Sequence, residues 1–300
     1  MNEKRTIEAF GLSDRGRVRE QNEDAFAVDR ALGLLVVSDG MGGQRAGQVA
    51  SRVVVETLPR QIAAASLGGE LMDADRAGEV MGQAIAILGE LMLEKSRGYA
   101  QLYGMGATVV AGWAVAGTLV LGHLGDSRAY LLRHGVLERL TEDHTIAELL
   151  LQQGLIDRRR YRDHPGRGQL RRYLGMRDCP APDVGLLELQ PADRILLCSD
   201  GLTGMLSDRQ IGQTLLEKAD RQAACRQLVE LANEAGGRDN ITVVVADVPA
   251  EGPPPQRPAR VKVRRKIGQS LRRVDVGREI VLEACDEPES EEGTSHGPES

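Results

Sequence analysis

Apolar residues along this chain follow two rhythms. Short, nearly continuous runs at 34–37, 108–115, 118–124, 129–132, 195–198 and 241–245 are rich in Val, Ile and Leu and bounded by Gly. They predict buried strands. Longer stretches at 44–65, 80–95 and 221–234 repeat apolar residues every three or four positions and predict helices, and 145–153 predicts a shorter one. The run Trp113-Ala114-Val115-Ala116-Gly117-Thr118 reads as a hairpin that turns at Ala116-Gly117. Consecutive hairpins imply antiparallel sheets with helices laid on them, an α+β layered domain rather than a doubly wound parallel one.

Two regions break the rhythm. The segment 161–182 is rich in Arg, Gly and Pro and lies between strands. It reads equally as a mobile flap or as an ordinary surface connection. After Val248 the composition changes: 249–258 is a Pro-rich linker, 257–273 is strongly basic and 283–300 is acidic. Opposite charge blocks without a core predict a solvated, disordered tail over 249–300. A docking arm, or a basic segment drawn to anionic lipid, is the alternative. One folded domain over 1–248 is therefore expected.

Composition narrows the class. With 41% hydrophobic and 27% charged residues, the 300-residue chain fits a soluble globular protein. A formal net charge of −6 argues against nucleic-acid binding through a large basic surface. Cys179, Cys198, Cys225 and Cys285 form no CxxC pair, the start has no apolar leader, and no run approaches the roughly 18 apolar residues of a membrane span. The cytoplasm, reduced thiols and a monomer are the expectations. Cys198 lies inside an apolar run and is expected in the core rather than in catalysis.

Four acidic motifs carry the candidate chemistry: Asn22-Glu23-Asp24, Ser38-Asp39-Gly40-Met41-Gly42-Gly43, Ser199-Asp200-Gly201 and Arg238-Asp239-Asn240. Asp39 and Asp200 each follow an apolar run, which puts a carboxylate at the end of a buried strand. Buried carboxylates that converge need a cation, and hard oxygen ligands select Mg²⁺ or Mn²⁺ over zinc. Asp39 is the best candidate to bridge two ions, because the glycines after it leave room and the Gly40 carbonyl can itself be a ligand. Asp24, Asp200 and Asp239 can complete the shells, with Glu23 bound directly or through a water. Arg19, just ahead of the acidic pair, suits a phosphate dianion. Asp126 in Gly125-Asp126-Ser127-Arg128 reads either as a further ligand or as a turn residue. One Asp-Gly is a common turn; the set together reads as a two-metal hydrolase.

The motifs, in this order, resemble the bacterial form of the metal-dependent serine/threonine protein phosphatases of the protein phosphatase 2C (PPM) family. The matching blocks begin with Asp14-Arg15-Gly16-Arg17-Val18-Arg19-Glu20-Gln21-Asn22-Glu23-Asp24, Val37-Ser38-Asp39-Gly40-Met41-Gly42-Gly43, Gly104-Met105-Gly106-Ala107-Thr108 and Gly122-His123-Leu124-Gly125-Asp126-Ser127-Arg128. They continue with Leu140-Thr141-Glu142-Asp143-His144-Thr145, Ser199-Asp200-Gly201-Leu202 and Gly237-Arg238-Asp239-Asn240-Ile241-Thr242, and cover roughly 6–248. The resemblance implies a four-layer α-β-β-α sandwich of two antiparallel sheets flanked by helices, with a dimetal site at one end. It implies that Asp39 bridges two Mg²⁺ or Mn²⁺ ions and that the Gly40 carbonyl binds one of them. Asp200 and Asp239 would hold one ion, Glu23 and Asp24 would support the other through waters, and Arg19 would bind the substrate phosphate. Asp126 with Asp200 matches a third-ion position, and 145–182 falls where these enzymes carry a flap. The implied reaction is hydrolysis of phosphoserine and phosphothreonine in proteins by direct attack of a dimetal-bound water, opposing a Ser/Thr kinase and acting on its substrates.

One position departs from the animal members, which place a His after the Asp-Gly; here it is Met41, as is usual in bacterial relatives. Met cannot donate a proton to a poor leaving group, so a water on a third ion held by Asp126 is the expected donor, with His144 as a second candidate. Three other functions compete. A phosphoprotein-binding member without catalysis would have lost metal carboxylates, and here they are intact. A phosphatase of an anti-sigma antagonist typically lacks the Arg-x-x-Asn-Glu-Asp start, which this chain keeps. A Ca²⁺-binding structural protein would need loop-repeated ligands, which the sequence does not have.

Overall fold

The computed structural model describes residues 7–42, 46–66 and 72–250 and, beyond them, the backbone of the segments 264–267, 270–273 and 280–281. In chain order the elements are β1 (Glu8–Asp14), β2 (Asp24–Asp29), β3 (Leu34–Met41), α1 (Ala46–Ser66), α2 (Ala74–Gly98), β4 (Gly106–Ala107), β5 (Val109–Val115), β6 (Thr118–Leu124), β7 (Arg128–Arg133) and β8 (Val136–Arg139). There follow α3 (Ile146–Gln152), α4 (Arg158–Asp163), β9 (Asp183–Glu188), β10 (Arg194–Cys198), α5 (Asp200–Thr203), α6 (Asp208–Glu217), α7 (Arg221–Glu234), β11 (Ile241–Asp247), β12 (Arg264–Ile267), β13 (Ser270–Arg273) and β14 (Ile280–Val281). One sheet runs β1-β11-β10-β7-β8-β14, and the other runs β13-β12-β9-β6-β5-β3-β2 with β4 paired to β3. The pairings are antiparallel, including the expected β5–β6 hairpin, whose register closes at Val115 opposite Thr118.

Side-chain alternation explains why the central strands read as continuous apolar runs. Leu34 and Val36 of β3 pack with Leu58 and Ile62 of α1 and with Met81 and Ile85 of α2. Leu35 and Val37 point the other way, onto Leu131 of β7, Ile195 and Leu197 of β10, and Val244 of β11. On the far side, Leu196 and Cys198 of β10 and Val243 and Val245 of β11 face Ile211 of α6 and Leu228 of α7. A strand with a helix on one face and a sheet on the other is apolar at each position. The layers are helix, sheet, sheet, helix, the α+β sandwich that the resemblance implies. Cys198 is fully buried in it, and burial pushes its thiol well above the usual range.

Some elements escape the pattern. β1 and β2 are largely half-buried, so their sequences mix polar and apolar residues without a clean period. Helix α2 starts at Ala74, six residues before its apolar rhythm, because Asp73 caps it by accepting from Arg76 N–H at 2.8 Å. Residues 43–45, at the expected start of α1, lie outside the described residues, as do 251–263 of the linker and basic stretch and 283–300 of the acidic end. Within the basic stretch, β12 and β13 form where charge alone predicts a solvated tail. β12 pairs with β9 and β14 with β8, strands that would otherwise leave edge N–H and C=O groups unpaired.

The segment 161–182 is anchored at several points. Tyr161 donates to Asp143 at 2.8 Å, Arg167 to the Thr203 carbonyl at 2.6 Å, and Arg171 N–H to the His144 carbonyl at 2.7 Å. Below it Arg128 and Asp143 form a buried bidentate pair at 2.8 and 2.5 Å. Burial opposes ionisation of Asp143, but Arg128 and Arg139 prevail and hold it well below the usual carboxylate range. Asp143→Ala would leave Arg128 buried without its main partner. It is expected to cost about 3–5 kcal/mol, read as an earlier urea-unfolding midpoint; an unchanged midpoint would contradict the pairing.

Candidate metal centre

Three strand ends deliver the acidic motifs to one place. β2 and β3 pair so that Asp24 and Asp39 are directly opposite. β10 ends at Cys198, and Asp200 opens α5 two residues later. Asp239 lies just before β11, the neighbour of both β10 and β1. Asp126 follows β6 and is buried. Hydrogen bonds between motifs distant in sequence hold these ends in register. Ser199 Oγ donates to Asp24 Oδ2 at 2.7 Å, and Asp39 N–H donates to Thr108 Oγ1 at 2.9 Å. Thr108 Oγ1 in turn lies 2.7 Å from Ser127 Oγ, beside Asp126. Asn240 fastens the Arg19 loop: it accepts from Glu23 N–H at 2.8 Å and donates to the Arg15 and Gln21 carbonyls at 2.9 Å each.

The electrostatics are those of a site built for cations. Burial first, and then Asp24, Asp200, Asp126 and Asp239, push the Asp39 carboxyl well above the usual range. Burial, Asp200 and Asp143 do the same to Asp126. Burial is also the largest cause for Asp24, pushed up to about 8, and for Asp200, pushed up to about 6. Asp24 Oδ1 and Asp200 Oδ1 are buried and accept no hydrogen bond. Like charges facing across a strand pair destabilise it, and an orphaned buried carboxylate oxygen costs more than a lost hydrogen bond. A hard divalent cation removes both penalties, so the donor set fits Mg²⁺ or Mn²⁺. Arg19 is half-exposed and donates to Asp239 Oδ2 at 2.8 Å, which leaves its guanidinium open to solvent beside the cluster. Glu23 is raised by burial against the pull of Arg19.

Each Asp-Gly pair needs its glycine for packing. A Cβ on Gly40 would sit 1.9 Å from the Gly47 carbonyl oxygen of α1, and one on Gly201 would sit 1.9 Å from the Asn240 carbonyl oxygen. Both neighbours are backbone. Gly201→Ala is therefore expected to destabilise the fold by about 1–3 kcal/mol and to weaken Mn²⁺ binding by displacing the loop that carries Asp239. A variant that keeps the wild-type melting temperature and Mn²⁺ affinity would contradict this.

His123, His144 and Asp183 bring three metal-capable atoms within 4.8 Å of one another. The hydrogen bonding argues against an ion there. His144 Nδ1 accepts from Gly125 N–H at 2.9 Å, and Nε2 lies 3.0 Å from Asp183 Oδ2 and 2.7 Å from Arg172 Nη1. A metal-binding His donates from its second nitrogen, and this one accepts. Arg172 already pairs with Asp183 at 2.9 Å. The group is a brace: His144 N–H also donates to the Gly125 carbonyl at 2.8 Å, which fixes the residue before Asp126. This bond gives His144 a supporting role beside the site.

All eight site residues expected from the sequence, Arg19, Glu23, Asp24, Asp39, Gly40, Asp126, Asp200 and Asp239, lie on these converging loops and strand ends. Sequence reasoning gave no roles to Asn240, Ser199, Thr108, Arg128 or Asp143. Each lies inside a quoted motif, the one signal that marks it.

The sequence model described as Protein phosphatase 2C matches residues 15–241. The serine/threonine phosphatase stp of Listeria monocytogenes is 34% identical over 238 residues, 78% of this chain and 93% of that protein. The serine/threonine protein phosphatase PstP of Mycobacterium tuberculosis is 40% identical over 236 residues, 79% of this chain and 44% of that protein. A crystal structure of the catalytic domain of PstP in complex with two manganese ions superposes with a TM-score of 0.71 at 34% identity, covering 81% of this chain and 98% of that one.

Proposed function

The chain belongs to the protein phosphatase 2C family and is a metal-dependent serine/threonine protein phosphatase, and we propose that the cluster around Asp39 is its catalytic centre. The observation that carries this reading is the set of buried acids with orphaned oxygens converging from three strand ends. Asp39 would lie between two Mn²⁺ or Mg²⁺ ions, with the Gly40 carbonyl, Asp200, Asp239, Glu23 and Asp24 around them and Asp126 with Asp200 at a third position. When bound, the ions supply an activated water and neutralise the phosphoryl oxygens. Arg19 would grip the phosphate dianion through the face of its guanidinium not given to Asp239. Ser199 and Asn240 hold Asp24 and Glu23 in place, so these acids need not reorganise when substrate arrives.

The catalytic unit in this reading is 1–248, with 145–182 as the segment over the site and 249–300 as an appendage. No helix of the described residues is long and apolar enough to cross a membrane. The natural substrates in this reading are cytoplasmic phosphoproteins, a Ser/Thr kinase and the kinase's own substrates, and the enzyme acts as a monomer. The test is phosphate release from a phosphothreonine peptide with Mn²⁺ and with EDTA. Release is expected only with Mn²⁺; equal release in EDTA would overturn the assignment of the cluster.

A further inference from the structure

The chain is acidic overall, with a formal net charge of −6, but exposed arginines are concentrated on the loops next to the Asp39 cluster. Beside Asp239, two loops are stitched together: Arg17 N–H donates to the Gly237 carbonyl at 2.7 Å, and Asn240 holds the Arg15 carbonyl at 2.9 Å. These loops expose Arg15, Arg17 and Arg238 next to Arg19. Beside Asp200, the segment 157–178 carries eight arginines against three aspartates, with no lysine or glutamate. It docks through the bond from Arg167 to Thr203, three residues beyond Asp200.

Several of these guanidiniums have no structural task. Arg17, Arg238, Arg159 and Arg171 are exposed, and none forms a salt bridge with a described residue. This differs from Arg128 and Arg133, which are buried in paired contacts. Unpaired like charges gathered on neighbouring loops of an acidic protein create a local positive potential at its surface. Such a field raises the local concentration of anionic partners.

We propose that the two arginine rims make this enzyme selective for phosphoserine and phosphothreonine set among acidic side chains, with Arg17 and Arg238 reading one flank and Arg159 and Arg171 the other. The inference rests on the phosphatase reading and specifies its substrate class. The guanidiniums suit carboxylates through bidentate hydrogen bonds, and the peptide chain carries those carboxylates out from the phosphate on both sides.

The test uses the full chain with Mn²⁺ and three phosphothreonine peptides of equal length, with Glu, Gln or Lys at the three positions on each side. The Glu peptide is expected to exceed the Gln peptide in kcat/KM by about tenfold, mostly through KM, and the Lys peptide to be poorest. The advantage should shrink in 0.5 M NaCl, where screening shortens the reach of the rims. In the pairs Arg17→Gln/Arg238→Gln and Arg159→Gln/Arg171→Gln it should fall toward one, with hydrolysis of p-nitrophenyl phosphate as the reference rate for each folded variant. Equal kcat/KM for the Glu and Gln peptides would overturn the proposal. So would an advantage that survives in both double variants, which would assign it elsewhere, such as the basic stretch 257–273. Hydrolysis of none of the three peptides would instead count against the phosphatase reading itself.

Discussion

Asparagine in place of Asp39 is expected to cut Mn²⁺-dependent phosphate release by about a thousandfold or more, about 4 kcal/mol in the barrier, and to raise the melting temperature of the metal-free chain. The two effects have one cause. Asp39 faces Asp24 across the β2–β3 pair and lies in the field of Asp200, Asp126 and Asp239. In the proposed site, that concentration of negative charge would hold the ions. Without ions, it is repulsion in a buried place. Asn keeps the shape and the backbone hydrogen bonds of Asp39 to Thr108 and removes the charge. Relief of about 1–3 kcal/mol corresponds to a few degrees for a domain of this size. Calorimetry in EDTA and a phosphate-release assay in Mn²⁺ check the two halves. A variant that loses both activity and metal-free stability would make Asp39 a structural residue instead.

The stability of the metal-free chain is expected to fall as pH rises from about 4 to 8, and saturating Mn²⁺ to flatten the slope. The folded state raises the carboxyls of Asp24 and Asp200 from 3.8 to about 8 and about 6, chiefly by burial. Asp39 and Asp126 move in the same direction. A carboxyl that holds its proton more tightly when folded stabilises the fold below its unfolded pKa, and that contribution is lost as pH rises through the folded value. For Asp200 alone the interval amounts to on the order of 3 kcal/mol. The opposite trend comes from His123 and His144, which burial lowers and whose neutral rings add stability as pH rises toward the ordinary His value of about 6.5, two rings against four raised carboxyls, and from Asp143 and Asp183, whose lowered carboxyls lose their contribution only in acid. Urea midpoints at several pH values in EDTA check the slope; a metal-free chain equally stable at pH 5 and pH 8 would contradict it.

How much of this was legible in the sequence depended on what each residue touches. The strands β3, β5, β6, β10 and β11 could be read because a helix covers one face and a sheet the other, so each position is apolar. β1 and β2 could not, since their half-buried residues obey no simple alternation. Asp39 and Asp200 were visible as carboxylates at the ends of apolar runs. Asp24 and Asp239 follow no such run and were recognisable only as members of ordered motifs. The tasks of Asn240, Ser199 and Thr108 were hidden, because their bonds reach across 217, 175 and 69 positions. Nothing local encodes such contacts. The eight arginines of 157–178 were plain in composition, but it took the fold to show that this segment docks beside Asp200, through the bond from Arg167 to Thr203.

The most direct test of the central claim is calorimetric titration of the EDTA-stripped, dialysed full chain with Mn²⁺, wild type beside Asp39→Asn. At least two Mn²⁺ ions per wild-type chain and the loss of both tight sites in Asp39→Asn are the predicted result. Unchanged stoichiometry and affinity in Asp39→Asn would contradict it, for the ions would then lie somewhere other than between these strand ends.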